Sequence, residues 1–216
     1  MNPPEQPAAN DASWLREPLT DSGEIAQRYD AWVATYDTEL VDAWRYDAPA
    51  VASRLLVDSG AVGPVLDVGC GTGLVGRGLA AVGFTDIDGV DLSPVSLDAA
   101  RCTAVYRSLT LHDFNQDVLP FDDGSYGAVT CVGVLSYAHH PADVVRDFIR
   151  IVRSGGVIMF THRTDLWDAC NFGDALEAMR TAGALSAVSW TEPQEYMPGS
   201  PDVADLRIRY VTATVG

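Results

Sequence analysis

The stretch Val65-Leu66-Asp67-Val68-Gly69-Cys70-Gly71-Thr72-Gly73-Leu74-Val75-Gly76 constrains the fold of this chain more than any other. Apolar, strand-compatible residues run into a glycine-rich turn, and Leu74, Val75 and Leu79 then open an apolar helix. Glycines at alternate positions let the backbone take positive φ and approach a ligand without a Cβ penalty. A second strand ends at Asp91. Strand, glycine loop and helix in this order form the nucleotide-binding corner of a doubly wound α/β sheet.

Two cofactors compete for such a loop. Gly71-Thr72-Gly73-Leu74-Val75-Gly76 spells the dinucleotide pattern G-x-G-x-x-G, and Asp91 supplies the acidic residue that this pattern places about 20 positions on. A dinucleotide sets its anionic pyrophosphate against the loop and the helix N-terminus, where Asp67 is a like charge. S-adenosylmethionine instead carries an α-ammonium and a sulfonium. The Asp67 carboxylate and the carbonyls of the Gly69, Gly71 and Gly73 turn suit those positive groups, so electrostatics favours S-adenosylmethionine.

Composition narrows the field further. At 216 residues with 47% hydrophobic side chains, the chain suits one globular domain. No run of 18 uncharged apolar residues reads as a membrane span. Met1 to Pro7 is polar and proline-rich, unlike a signal peptide, so the expected compartment is the cytoplasm. Cys70, Cys102, Cys131 and Cys170 are scattered, without the spacing of a zinc site or a disulfide framework, and no metal is expected. All 14 basic residues are Arg against 30 Asp and Glu, a net charge of −16. A nucleic-acid enzyme needs a positive surface to offset phosphate charge, so no nucleic-acid partner is expected.

The pattern along the chain predicts a flexible N-terminal arm over 1–22, where four of the twelve prolines fall. One domain follows over 23–216, divided into a helical cap (23–60) and an α/β core (61–216). Within the cap, Tyr29, Trp32, Val33 and Tyr36 fall on one helix face by their spacing; they either pack on the core or line the site. Helices are expected at Gly23–Tyr46, in two pieces, and at Ala48–Ser59. Strands are expected at Val65–Val68, Asp86–Asp91, Val105–Leu111, Ala128–Val134, Val157–Thr161, Leu185–Trp190 and Leu206–Ala213. Helices alternate with them near Val75–Ala81, after Ser93-Pro94, at Ala142–Val152 and at Phe172–Thr181. The expected architecture is a Rossmann-like, doubly wound, seven-stranded, mostly parallel sheet with helices on both faces.

The motif Val65 to Gly73 resembles the first motif of the class I S-adenosylmethionine-dependent methyltransferases. More closely, the chain is similar to the methyltransferase-like proteins named after the Williams–Beuren syndrome chromosome region and their bacterial relatives. That likeness rests on Tyr29-Asp30-Ala31-Trp32, Tyr36-Asp37, the glycine loop, Gly83 to Ser93, Leu119-Pro120-Phe121 and Gly155-Gly156-Val157. It departs at Gly127, where the family usually carries Asp. The resemblance implies S-adenosyl-L-methionine as cofactor, S-adenosyl-L-homocysteine as product, an antiparallel final strand and methyl transfer to an O, N, S or C atom of a small molecule. A nicotinamide-dependent oxidoreductase and a non-catalytic S-adenosylmethionine-binding protein are the alternatives; a Tyr-x-x-x-Lys pair is absent because the chain lacks lysine.

Carried onto this sequence, the family pattern places the cofactor against Tyr36, Asp67, Gly69, Cys70, Gly71, Gly73, Asp91, Leu92, Asp113, Phe114 and Val132. Asp91 would accept from both ribose hydroxyls, Leu92 would pack on adenine, and Asp113 would accept from the adenine amino group with Asp117 as its rival. Tyr29, Tyr36 and Tyr137 would meet the methyl acceptor. Tyr137, His139 and His140 are the candidates for positioning or deprotonating it. Adjacent histidines at a helix start also serve as surface or capping residues.

Overall fold

A computed structural model describes residues 11–17, 19 and 21–216 of the chain. Eight strands form one sheet: β1 (Val65–Val68), β2 (Ile87–Asp91), β3 (Ser108–Leu111), β4 (Tyr126–Cys131), β5 (Val152–Arg163), β6 (Leu185–Trp190), β7 (Gln194–Glu195) and β8 (Arg207–Val215). Their spatial order is β3-β2-β1-β4-β5-β8-β6, with the two-residue β7 also paired to β8. The first five are parallel, and β8 runs antiparallel between β5 and β6. The expected seven-stranded sheet is thus present with one short addition.

Parallel strands covered on both faces read as unbroken apolar runs. Every residue of β1 and of β4 is buried accordingly. Asp67 is the buried carboxyl within β1. One apolar core packs α3 (Ala48–Asp58) and α4 (Leu74–Ala81) on the sheet through Ala52, Leu56, Val75 and Leu79. The opposite core packs α6 (Pro141–Ile151) and α8 (Phe172–Thr181) through Val145, Phe148, Phe172 and Leu176. Between β2 and β3, α5 (Pro94–Cys102) starts as Ser93 predicts: its hydroxyl accepts from the Ser96 amide at 2.9 Å, with Pro94 in the first turn.

The cap is built from α1 (Ser22–Trp32), the single turn α2 (Tyr36–Thr38) and a π-helical turn over Glu39–Ala43. Asp21 caps α1 by accepting from the Glu24 amide at 2.8 Å. Trp32 ends α1 buried among aromatic rings, 5.3 Å from the Trp14 ring centroid, 4.5 Å from Tyr36 and 5.2 Å from Trp44.

The expectation of a flexible arm over 1–22 is corrected at residues 12–17 and 19. Ala12, Trp14, Leu15 and Leu19 are buried. The Arg163 guanidinium donates to the Leu15 carbonyl at 2.6 Å, and Arg16 pairs with Asp205. Apolar side chains and these two arginines tie the segment to the end of β5 and to the 201–205 turn. Residues 1–10, 18 and 20 lie outside the described residues.

Among the described residues, no helix is long and apolar enough to cross a membrane. A short helix at α7 (Thr164–Ala169) had no expectation attached to it. At Gly127 an added Cβ would overlap the Val62 carbonyl and meet the Arg153 guanidinium. The departure from the family pattern is therefore matched by the close approach of the 62–64 loop, on the side of β4 away from the glycine loop.

Candidate functional site

In open α/β sheets, ligands lie beyond the carboxyl ends of the strands, where the strand order reverses. Here that point falls between β1 and β4, and a cavity opens there. The floor comes from the glycine loop and the ends of β2 and β4. The roof comes from the cap.

Gly69, Cys70, Gly71, Asp91, Leu92, Phe114 and Val132 all line this cavity, as do Tyr29, Tyr36 and Tyr137. Gly71 has φ +52° and open space where a Cβ would project, so its backbone is bare toward the cavity. Asp91 accepts from the Gly71 amide at 2.8 Å through Oδ2 and from the Ser93 amide at 2.9 Å through Oδ1. Each carboxylate oxygen keeps a further lone pair for a ligand hydroxyl. Burial raises the pKa of Asp91, an effect that these amides oppose.

Asp67 departs from its expected place. Its carboxylate is fully buried beneath the loop and does not line the cavity. Tyr106 Oη donates to Oδ2 at 2.7 Å, and Thr130 Oγ1 bonds Oδ1 at 3.2 Å. Alternation along β1 turns this side chain into the protein. Burial pushes its pKa up to about 7, against the pull of the Tyr106 and Thr130 hydroxyls.

Tyr106 also accounts for the dinucleotide-like pattern. A Cβ on Gly76 would overlap its phenol ring, and Cβ atoms on Gly73 and Gly89 would come within 3.2 and 3.1 Å of it. The Gly76 amide donates to its hydroxyl at 3.2 Å. Of the three glycines in G-x-G-x-x-G, Gly71 faces the cavity, whereas Gly73 and Gly76 make room for an internal tyrosine. Gly73 accordingly leaves the set of cavity residues.

Asp113 is also displaced from the cavity. Its oxygens accept from the Asn115 amide and the Gln116 side chain, each at 2.9 Å, within its own loop. Its rival Asp117 is turned toward the Val118 amide, at 2.8 Å. Of this loop, His112, Phe114 and Asn115 reach the cavity instead. Asn115 joins the two loops that flank the site: its Nδ2 donates to the Tyr137 carbonyl at 3.1 Å, and its Oδ1 accepts from the His139 amide at 3.0 Å.

His139 and His140 are exposed and face a separate depression beside Asp143 and Asp147, with His140 at the N-cap of α6. The structure thus separates them from Tyr137. Tyr137 stays in the cavity, and its hydroxyl lies 3.0 Å from that of Tyr29 across the gap between the loop and the cap. Tyr46, set by the π-helical turn, adds a wall residue that the sequence reading did not single out; its aromatic neighbourhood with Trp44 was the available signal. Nothing in the sequence marked Asn115. Among the described residues, no group of His, Cys, Asp and Glu could hold a metal ion.

Four polar contacts pin the cap over the cavity. Asp37 bonds the Thr72 hydroxyl of the glycine loop and pairs with Arg77 of α4. Asp30 accepts from Ser93, beside Asp91. The Tyr29 and Tyr137 pair is the fourth.

Comparison with known proteins fits this geometry. A family described as a methyltransferase domain matches residues 66–160, from β1 into β5. Methyltransferase-like protein 27 of Homo sapiens is 34% identical over 190 residues, covering 82% of this chain and 76% of its own length. The ubiquinone biosynthesis O-methyltransferase of Alkalilimnicola ehrlichii is 34% identical over 104 residues, covering 45% of this chain and 40% of that protein. Among solved structures, the Haemonchus contortus phosphoethanolamine N-methyltransferase 2, in complex with phosphomonomethylethanolamine and S-adenosylhomocysteine, superposes with a TM-score of 0.65. That match is at 12% identity, covers 91% of this chain and 59% of the other, and shows the fold alone. The human relative extends the likeness well beyond residues 66–160, and the chain belongs to the class I S-adenosylmethionine-dependent methyltransferases.

Proposed function

We propose that this chain binds S-adenosyl-L-methionine along the floor of the cavity and methylates a small molecule held beneath the cap. The carrying observation is the continuity of one cavity from Asp91, past the bare backbone of Gly71, to the facing hydroxyls of Tyr29 and Tyr137. Asp91 suits the ribose hydroxyls, Leu92 and Phe114 the adenine faces, and the Gly69–Gly71 backbone with Tyr36 the methionine end. Val132 and Cys70 complete the apolar floor. When bound, the cofactor would supply an electrophilic methyl carbon on a sulfonium.

The chain's own residues position and enclose. Holding the acceptor at near-attack distance removes much of the barrier to an in-line displacement, and the latched cap excludes water from it. The roofed cavity and the net charge of −16 both favour a small acceptor over a nucleic acid. Calorimetry with S-adenosylmethionine, S-adenosylhomocysteine and NAD tests the reading. Binding of both adenosyl ligands without NAD is expected. Tight NAD binding without either would overturn it, and adenosyl binding without methyl transfer across a broad acceptor screen would favour the non-catalytic alternative.

A further inference from the structure

The acceptor end of the cavity is walled by tyrosines. Tyr29, Tyr36, Tyr46 and Tyr137 line it, with the Tyr29 ring 5.9 Å from Tyr36 and 6.1 Å from Tyr137 between centroids. Tyr196 stands behind Tyr46 at 5.7 Å, edge to face. Among the described lining residues there is no Arg, and the chain has no Lys. The guanidiniums nearest this end are already engaged: Arg163 with Asp165 and the Leu15 carbonyl, and Arg28 with Glu17 and Glu24. The lining groups that titrate, apart from the tyrosines and Cys70, are Asp91 and His112. Both sit at the ends of β2 and β3 and are already engaged, Asp91 with the Gly71 and Ser93 amides and His112 Nε2 with the Asp117 carbonyl at 3.1 Å.

We infer that the methyl acceptor is an uncharged aromatic nitrogen compound, an aryl amine or a heteroaromatic base, held by tyrosine faces and hydroxyls. This rests on reading the tyrosine chamber as the acceptor site of a methyltransferase. An anionic acceptor would be buried with no cationic side chain among the described lining residues to pair it, an unfavourable arrangement. An alcohol, a phenol or an alkylammonium must lose a proton before it attacks, and among the described lining residues no carboxylate or imidazole other than the engaged Asp91 and His112 could take it. Burial holds the phenols of Tyr29, Tyr36 and Tyr46 well above their usual pKa, so they donate and accept hydrogen bonds as neutral groups.

An aryl or heteroaromatic nitrogen carries a free lone pair at neutral pH. That lone pair forms the new N–C bond as the C–S bond breaks, and the C–S electron pair stays on sulfur. Positive charge passes to the nitrogen, where ring faces within about 6 Å attract it. An amine product then releases its N–H proton to water, whereas a methylated heteroaromatic nitrogen leaves as the cation. Flat aromatic acceptors also match the ring walls in shape.

The test uses 1-aminonaphthalene, isoquinoline, 1-naphthol and 1-naphthoate, bicycles of similar size that differ in the reacting group. Binding to the full chain saturated with S-adenosylhomocysteine is measured first, and transfer from methyl-labelled S-adenosylmethionine second. Both nitrogen probes should bind at least about tenfold more tightly than 1-naphthoate, about 1.4 kcal/mol, and label should appear on nitrogen. The Tyr137→Phe variant should bind isoquinoline several-fold more weakly while keeping its affinity for S-adenosylhomocysteine. The inference is overturned if 1-naphthoate binds as well as the amines, if label appears only on 1-naphthol, if no probe binds, or if Tyr137→Phe leaves isoquinoline binding unchanged. Failure to bind S-adenosylhomocysteine at all would instead remove the methyltransferase reading beneath it.

Discussion

The sheet and the cap of this protein are held by different forces. β1 and β4 are buried along their whole length, and their apolar side chains are gripped from both faces. The cap shares an aromatic cluster with the core, but its hold on the cofactor side is polar: Asp37 on Thr72 and Arg77, and Asp30 on Ser93. Apolar burial is indifferent to a ligand, whereas polar contacts onto the glycine loop sense whatever changes that loop. The difference predicts that the core sets stability while these cap contacts respond to a ligand.

The largest expected effect separates the two faces of the glycine loop. Gly71→Val should remove S-adenosylhomocysteine binding below detection, because a β-branched side chain would fill the cavity and resist a φ of +52°. Gly76→Ala should instead destabilise the fold by about 1–3 kcal/mol, the cost of overpacking against Tyr106. Calorimetry and urea denaturation on both variants check this; a Gly71→Val protein that folds and binds normally would show that the loop is not the site.

Next in size is Asp91→Ala. Losing hydrogen bonds to a charged acceptor should weaken S-adenosylmethionine binding by roughly 2–4 kcal/mol, at about 1.5–3 kcal/mol each before non-additivity. The Gly71 and Ser93 amides lose their acceptor in the same variant. Unchanged affinity in a folded Asp91→Ala protein would reduce this residue to a loop brace.

Asp67 probes the core through pH. Its folded pKa of about 7 lies above the usual carboxylate value of 3.8, so the folded state keeps a proton that the unfolded state gives up. Its contribution to stability should therefore be greatest below about pH 4, fall as pH rises towards 7, and stay low above that. Denaturation of the parent and of Asp67→Asn from pH 4 to 8 should show the parent losing ground to the variant across that window. Parallel curves would mean that the carboxyl ionises as freely in the folded chain as in the unfolded one.

The smallest effect belongs to the cap. Asp37→Ala removes a partly exposed ion pair and a hydroxyl bond, worth about 0.5–1.5 kcal/mol together. Amides from Tyr29 to Tyr36 should exchange faster in this variant, and in the parent they should gain protection on binding S-adenosylhomocysteine. Equal protection with and without ligand would make the cap static packing and dissolve the contrast with the core.

Legibility followed the same division. Val65–Val68 and Phe172–Thr181 lie where periodicity puts them, and Ser93 caps α5 as its residue type predicts. Local pattern suffices where a segment's own side chains decide its structure. It fails where a distant partner decides. Asp67 was read as facing a ligand, but the strand turns it toward Tyr106, which follows α5 and carries no motif of its own. Asp113 satisfies its own loop, and residues 12–17, which show no periodicity, are fixed by Arg163 and Asp205 from far along the chain. The misses at Asp67 and at residues 12–17 are tertiary contacts, invisible to spacing; the one at Asp113 is a local turn of its loop.

The place of β8 also sets an order of assembly. β6 precedes it in the chain, yet among the described strands β6 pairs with β8 alone. On emerging from the ribosome, β6 has no neighbour to join until residues 207–215 have lain down along β5. Until then β5 presents an open edge, the kind of surface on which nascent chains pair with one another. Because that closing contact spans the long connection from β5 to β8, it belongs among the slower steps of folding. Crowding of unfinished chains should therefore do its harm late in synthesis, after the ligand-binding half has already formed.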